Sequence, residues 1–193
     1  MLHRLIEIAI SAALLIPVFW MLNKVRFQNP KETAGYFVFA VYLSAVYLFV
    51  GMPTMQFIRF ELSLTLIPFL PMLTDMKNTV LNVSLFVPLG VLLPLLWKRY
   101  NTLKNTALFG IALSLSIELL QILTYRATDI NDIIANTLGT VLGYLIFCMA
   151  SRAIPPVTKF AGEKREMPVI ILSVFAVMFF IQPYLATLYY KIT

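Results

Sequence analysis

Six stretches of this chain are apolar over about the 20 residues that a helix needs to cross hydrocarbon. They run from Leu5 to Leu22, Gly35 to Met52, Val80 to Trp97, Thr106 to Tyr125, Ile133 to Ala150 and Pro168 to Tyr190. Runs this long lack the period-two alternation of barrel strands, and in lipid only a helix satisfies every backbone group within one segment. The fold class that follows is an all-α integral membrane protein, a bundle of about six transmembrane helices forming a single domain over 1–193. Composition agrees, because 60% of the residues are hydrophobic and 12% are charged, about half the charge of a water-soluble domain. The single cysteine, Cys148, lies inside the fifth run, which excludes an intrachain disulfide. The first run carries Glu7 and leads straight into Asn23-Lys24-Val25-Arg26 rather than a small-residue cleavage site, so it reads as a retained helix.

The net charge of +6 sits on short connections between the runs and not on one soluble face. That pattern points to a membrane and away from nucleic acid. Of the 15 Lys and Arg, Lys24, Arg26, Lys31, Lys98, Arg99, Lys104, Arg152, Lys159, Lys164 and Arg165 fall on one side of a six-span chain. Arg4, Arg59, Lys77, Arg126 and Lys191 fall on the other. The positive-inside rule places the larger set in the cytoplasm and both termini outside.

Two connections depart from simple loops. Pro53 to Thr79 is largely apolar, with Arg59, Glu61, Ser63 and Thr65 alternating with apolar residues and with Pro68 and Pro71 closing it. The alternation predicts an apolar extended or re-entrant segment between helices 2 and 3, at the outer interface, and not a seventh span. Such a piece serves either as an amphipathic cover on the bundle or as the entrance for a ligand. Arg152 to Met167, with Pro155-Pro156 and Glu163-Lys164-Arg165-Glu166, reads as a solvated cytoplasmic linker.

An ionisable residue within a span costs at least about 2.5 kcal/mol, so it faces the bundle interior and finds a partner. Glu118 lies about two turns before the fourth run ends, and Gln121 and Tyr125 follow it on the same helix face. Asp129 or Asn131 can cap the fifth helix, whose amino-terminal dipole favours negative charge. Asp132, Asn136, Gly139 and Gly143 then form one stripe, and the Gly139-Gly143 spacing allows close approach of another helix, inside the bundle or across a dimer. Asn78 and Asn82 stand one turn apart on the third helix, and Pro88 with Gly90 lets that helix bend and pack tightly. Asn78, Asn82, Glu118, Gln121, Arg126, Asp129, Asp132 and Asn136 are therefore expected to line one outward-opening pocket as its ligand-binding set. The structural alternative is that Arg126 neutralises Asp129 and Asp132 while Glu118 is a buried, hydrogen-bonded strut.

Leu66-Ile67-Pro68-Phe69, Asn82-Val83-Ser84-Leu85-Phe86-Val87-Pro88-Leu89-Gly90, Glu118-Leu119-Leu120-Gln121, Arg126 and Asp129 through Gly139 occur here in that order. Together they resemble the VanZ-like family of teicoplanin-resistance membrane proteins, over a motif-bearing region of about residues 66–145. The resemblance implies an integral protein of the bacterial plasma membrane whose best-known relatives lower susceptibility to lipoglycopeptides. It implies no established reaction.

Three functions are open to such a chain. As a binding protein it engages membrane lipids, a lipid-linked cell-wall precursor or the lipoglycopeptide itself. Arg126 then forks onto phosphate or carboxylate, and Asn82, Gln121 and Asn136 read hydroxyl or amide groups. As an enzyme on a phosphate-containing lipid it holds a divalent cation on Glu118, Asp129 and Asp132; no other cofactor is expected. Ser84 has no histidine base, because the one histidine is His3 at the terminus. A transporter is the weakest reading, since no repeat relates the two halves and the intramembrane charge is confined to one end.

Overall fold

The computed structural model describes residues 2–60, 64–65, 69, 72, 74–124, 128–153 and 166–192, with the side chains of Leu2, Leu64, Thr65 and Ala153 left aside. Among the described residues, six helices are long and apolar enough to cross a membrane: His3–Phe27, Pro30–Phe49, Met76–Leu96, Leu103–Gln121, Ile130–Arg152 and Glu166–Ile192. We label them α1 (Leu2–Leu22, continued by a π-helical turn at Asn23–Phe27), α2 (Pro30–Phe49), α3 (Met76–Leu96), α4 (Leu103–Gln121), α5 (Ile130–Ala153) and α6 (Glu166–Ala176). A second π-helical turn, Val177–Ile181, joins α6 to α7 (Gln182–Ile192) within the sixth span. Large apolar side chains such as Leu119, Met149 and Leu172 remain exposed on these helices, as surfaces in contact with hydrocarbon require.

Helix starts are fixed by polar caps that lie ahead of the apolar runs. Asn29 accepts hydrogen bonds from the Lys31 and Glu32 amides at 3.2 and 3.4 Å, and Pro30 follows at the first helical position. Asp75 accepts from the Asn78 amide at 3.1 Å, and Thr102 from the Asn105 amide at 3.4 Å. The helices α2 and α3 accordingly begin several residues before Gly35 and Val80. Asn29→Ala is expected to destabilise the start of α2 by about 1 kcal/mol, read as faster amide exchange at Lys31 and Glu32 with the exchange of α3 unchanged.

The described chain gathers into two compact units, Met1–Ile58 with Glu163–Thr193 and Arg59–Gly162. In the first, Leu15, Phe19, Tyr36, Phe39, Ala40, Ile170 and Met178 form the core. Its buried Tyr36 hydroxyl donates to the carboxylate of Glu166, and at 3.4 Å to that of Glu32. In the second, α3, α4 and α5 pack around Phe86, Leu89, Leu93, Ile117 and Ala135. A Cβ added at Gly139 would lie 2.2 Å from the Val83 carbonyl oxygen, and one at Gly143 would lie 2.0 Å from that of Val87. The two contacts advance together, so α3 and α5 run parallel with their backbones touching. The Gly139-Gly143 pair is thus used within the unit, against α3.

Between α2 and α3, Pro53 to Phe60 contains no helix. The Arg59 amide donates to the Leu123 carbonyl at 3.0 Å. Leu64–Thr65 (β1) pairs in parallel with Thr128–Asp129 (β2), in the register Leu64 to Thr128 and Thr65 to Asp129. The expected extended segment does not reach Thr79: Met76–Thr79 form the first turn of α3, and 72 and 74 are helical as well. Residues 61–63, 66–68, 70, 71 and 73 lie outside the described residues, as does most of the expected linker, 154–165.

Candidate functional site

Parallel packing of α3 and α5 puts their amino-terminal ends beside the carboxyl end of the antiparallel α4. Hydrogen bonds among the described residues tie these ends together. Asn82 Nδ2 on α3 donates to Asp132 Oδ1 on α5 at 2.7 Å. Glu118 Oε2 on α4 accepts the Asp129 amide at 2.8 Å, while its backbone oxygen accepts the Thr128 hydroxyl at 3.1 Å. One turn deeper, Asn136 Nδ2 donates to Ser114 Oγ at 2.9 Å.

Asp129 caps α5, as one of the two sequence-level alternatives expects. Its Oδ1 accepts the Asn131 amide at 2.8 Å and Asn131 Nδ2 at 2.7 Å. Asn131 Oδ1 in turn accepts the Phe69 amide at 2.8 Å. A continuous chain of bonds therefore runs from Glu118 through Asp129 and Asn131 to the segment ahead of α3. Glu118 is 2% exposed, Gln121 2%, Asn131 4% and Asn136 2%, whereas Asn82, Asp129 and Asp132 are half-buried. The carboxylates of Asp129 and Asp132 stand in the first turn of α5, where the helix dipole stabilises negative charge.

Of the eight expected site residues, Asn82 and Asp132 meet directly, Glu118 and Asp129 meet through a backbone amide, and Gln121 is buried at the last turn of α4. Asn136 is buried beneath this rim; its Oδ1 has no hydrogen-bond partner among the described residues. Asn78 is exposed on the first turn of α3, tied to Asp75 through its backbone amide. Arg126 lies outside the described residues, and so does Tyr125.

The VanZ/LLP1 family model matches residues 9–151. The chain belongs to the VanZ/LLP1 family. Protein VanZ of Enterococcus faecium is 36% identical over 91 residues, which is 47% of this chain and 55% of that protein. The match thus spans about half the length of that relative. No solved structure matches this chain. All of the bonded rim lies within the VanZ/LLP1 match, which also takes in α2 and most of α1; α6 and α7 follow it.

Three bonded side chains of this VanZ/LLP1 rim, those of Ser114, Thr128 and Asn131, fall outside the expected set. Asn131 reads from sequence only as a capping alternative, yet its side chain bridges Asp129 to Phe69. Ser114 precedes Glu118 by four residues and Gln121 by seven, so helical spacing already puts it on their face. Among the described residues no group of three or more His, Cys, Asp and Glu side chains is placed to hold a metal ion. The rim is rich in acceptors, with carboxylates fixed by amides, and is suited to hydroxyl, amide or ammonium donors on a ligand.

Proposed function

We propose that this VanZ/LLP1 protein acts in the bacterial plasma membrane, with both termini outside, and lowers susceptibility to lipoglycopeptides such as teicoplanin. It does so by engaging the headgroup of a lipid or of a lipid-linked cell-wall precursor at the outer ends of α3, α4 and α5. The observation that carries this reading is the Asn82–Asp132 pair, a half-buried amide and carboxylate held 2.7 Å apart beside the buried Glu118. Glu118 serves the α4–α5 connection by accepting the Asp129 amide, whereas the Asn82–Asp132 pair joins α3 to α5, two helices that no hairpin connects, and polar groups there are costly in lipid unless used. The Lys and Arg asymmetry supports the orientation. In this reading Asp132 and Asn82 meet the ligand's donors, Arg126 forks onto its phosphate or carboxylate, and Glu118 holds the rim in place.

The test is the teicoplanin susceptibility of a sensitive bacterium producing the wild-type chain, Arg126→Lys or Asp132→Asn at equal membrane levels. Wild type is expected to protect. Arg126→Lys keeps the charge and loses the paired hydrogen bonds, so ligand binding is expected to weaken about tenfold and protection to fall with it. Asp132→Asn is expected to do the same. Full protection by both variants rules the reading out.

A further inference from the structure

The opposite end of the second unit holds a separate cavity of about 190 Å³, lined by Arg99, Tyr100, Asn105, Leu108 and Phe109. It forms at the turn between α3 and α4, where Lys98–Tyr100 makes one 3-10 turn and Thr102 caps α4. Among the described residues, four hydrogen bonds that involve side chains pin this turn. Asn105 Nδ2 donates to the Arg99 carbonyl at 2.8 Å, the Thr106 hydroxyl to that of Tyr100 at 2.7 Å, and the Tyr144 hydroxyl of α5 to that of Asn101 at 2.9 Å. The fourth is the Thr102 cap, which accepts the Asn105 amide at 3.4 Å. The Tyr100 ring stands edge-on to Phe109 at 5.4 Å.

We propose that this cavity binds the headgroup of an anionic phospholipid, with the lipid's chains running along Leu108 and Phe109 on α4. Charge selects the anion. Lys98, Arg99 and Lys104 fall within one short turn, no Asp or Glu occurs between Asp75 and Glu118, and the first turn of α4 carries no acid. The exposed Arg99 guanidinium makes no ion pair among the described residues, and its planar fork matches two phosphate oxygens. The apolar half of the lining selects a lipid over free phosphate. Leu108, part of the lining, is 53% exposed on a helix long and apolar enough to span the membrane, so an apolar surface for acyl chains adjoins the basic turn. Because the turn is pinned by its own hydrogen bonds, little ordering is left for the lipid to impose.

The full chain is reconstituted in bilayers of phosphatidylcholine with a minority of phosphatidylglycerol, extracted gently, and the retained lipid identified by native mass spectrometry. Phosphatidylglycerol is expected to be enriched over phosphatidylcholine, and Arg99→Gln to cut that enrichment about fivefold, the usual worth of one basic residue at a charged bilayer surface. Lys77→Gln, at another exposed cation at the other end of α3, is expected to leave it unchanged. Equal retention of the two lipids, full enrichment in Arg99→Gln, or an equal loss in Lys77→Gln overturns the proposal. Displacement of the lipid by inorganic phosphate also overturns it, since that marks a site for the free anion. Any lipid held at the rim at the far end of α3 is retained alike by wild type and Arg99→Gln, so the difference between them reports this cavity alone and is independent of the antibiotic test.

Discussion

Gly143→Ala is expected to cost the second unit about 3 kcal/mol, the upper end of what overpacking costs. The added methyl would lie 2.0 Å from the Val87 carbonyl oxygen and 2.9 Å from the Gly90 Cα. Both are backbone atoms, so no side chain can turn aside and α3 and α5 must separate. Separation is costly in a membrane because lipid tails are as apolar as the helix faces, and close van der Waals packing is what holds the helices together. Gly110→Ala supplies the control. Its methyl would meet the Thr140 side chain, with Oγ1 at 2.5 Å, and trimming that residue in Gly110→Ala/Thr140→Ala should recover part of the loss. No side-chain trimming should rescue Gly143→Ala. Reversible unfolding in mixed micelles measures each cost, and a Gly143→Ala penalty below about 1 kcal/mol would mean that this backbone contact is dispensable.

The same contact marks how far the sequence could be read. Span length alone locates all six helices, because hydrocarbon thickness imposes a long apolar run that nothing else in a chain produces. Helix ends are a different matter. The start of α3 lies at Met76 and not at Val80, because Asp75 sets it, and α4 stops at Gln121 and not at Tyr125. Gly139 and Gly143 are visible as a close-approach stripe, but spacing cannot say which helix approaches; the rotation of α3 that brings Val83, Val87 and Gly90 to them is a tertiary property. The candidate site follows the same rule. Periodicity puts Glu118 and Gln121 on one face of α4, and Asp132 and Asn136 on one side of α5. It does not reveal that α5 is wedged so that Asp132 turns to Asn82 on α3 while Asn136 turns to Ser114 on α4. Nor does it reveal that Glu118 is satisfied by a backbone amide, since any amide in the connection to α5 was an equal candidate.

That amide is the basis of the second large effect. Glu118→Ala is expected to destabilise the second unit by about 1–3 kcal/mol, because the Asp129 N–H loses its acceptor at a site with little access to water. The damage spreads along the bonded chain. Asp129 caps α5 and holds Asn131, and Asn131 holds the Phe69 amide, so amide exchange at Asp129, Asn131 and Phe69 should quicken together. Glu118→Gln keeps a carbonyl oxygen where the acceptor is needed and should restore most of the stability. It should also restore protection against teicoplanin, because a side chain 2% exposed, with Oε2 already committed to Asp129, positions the rim rather than touching the ligand. Stable Glu118→Gln protein that fails to protect would show instead that the carboxylate's charge meets the ligand. Normal exchange at Asp129 in Glu118→Ala would remove the bonded chain from the account altogether.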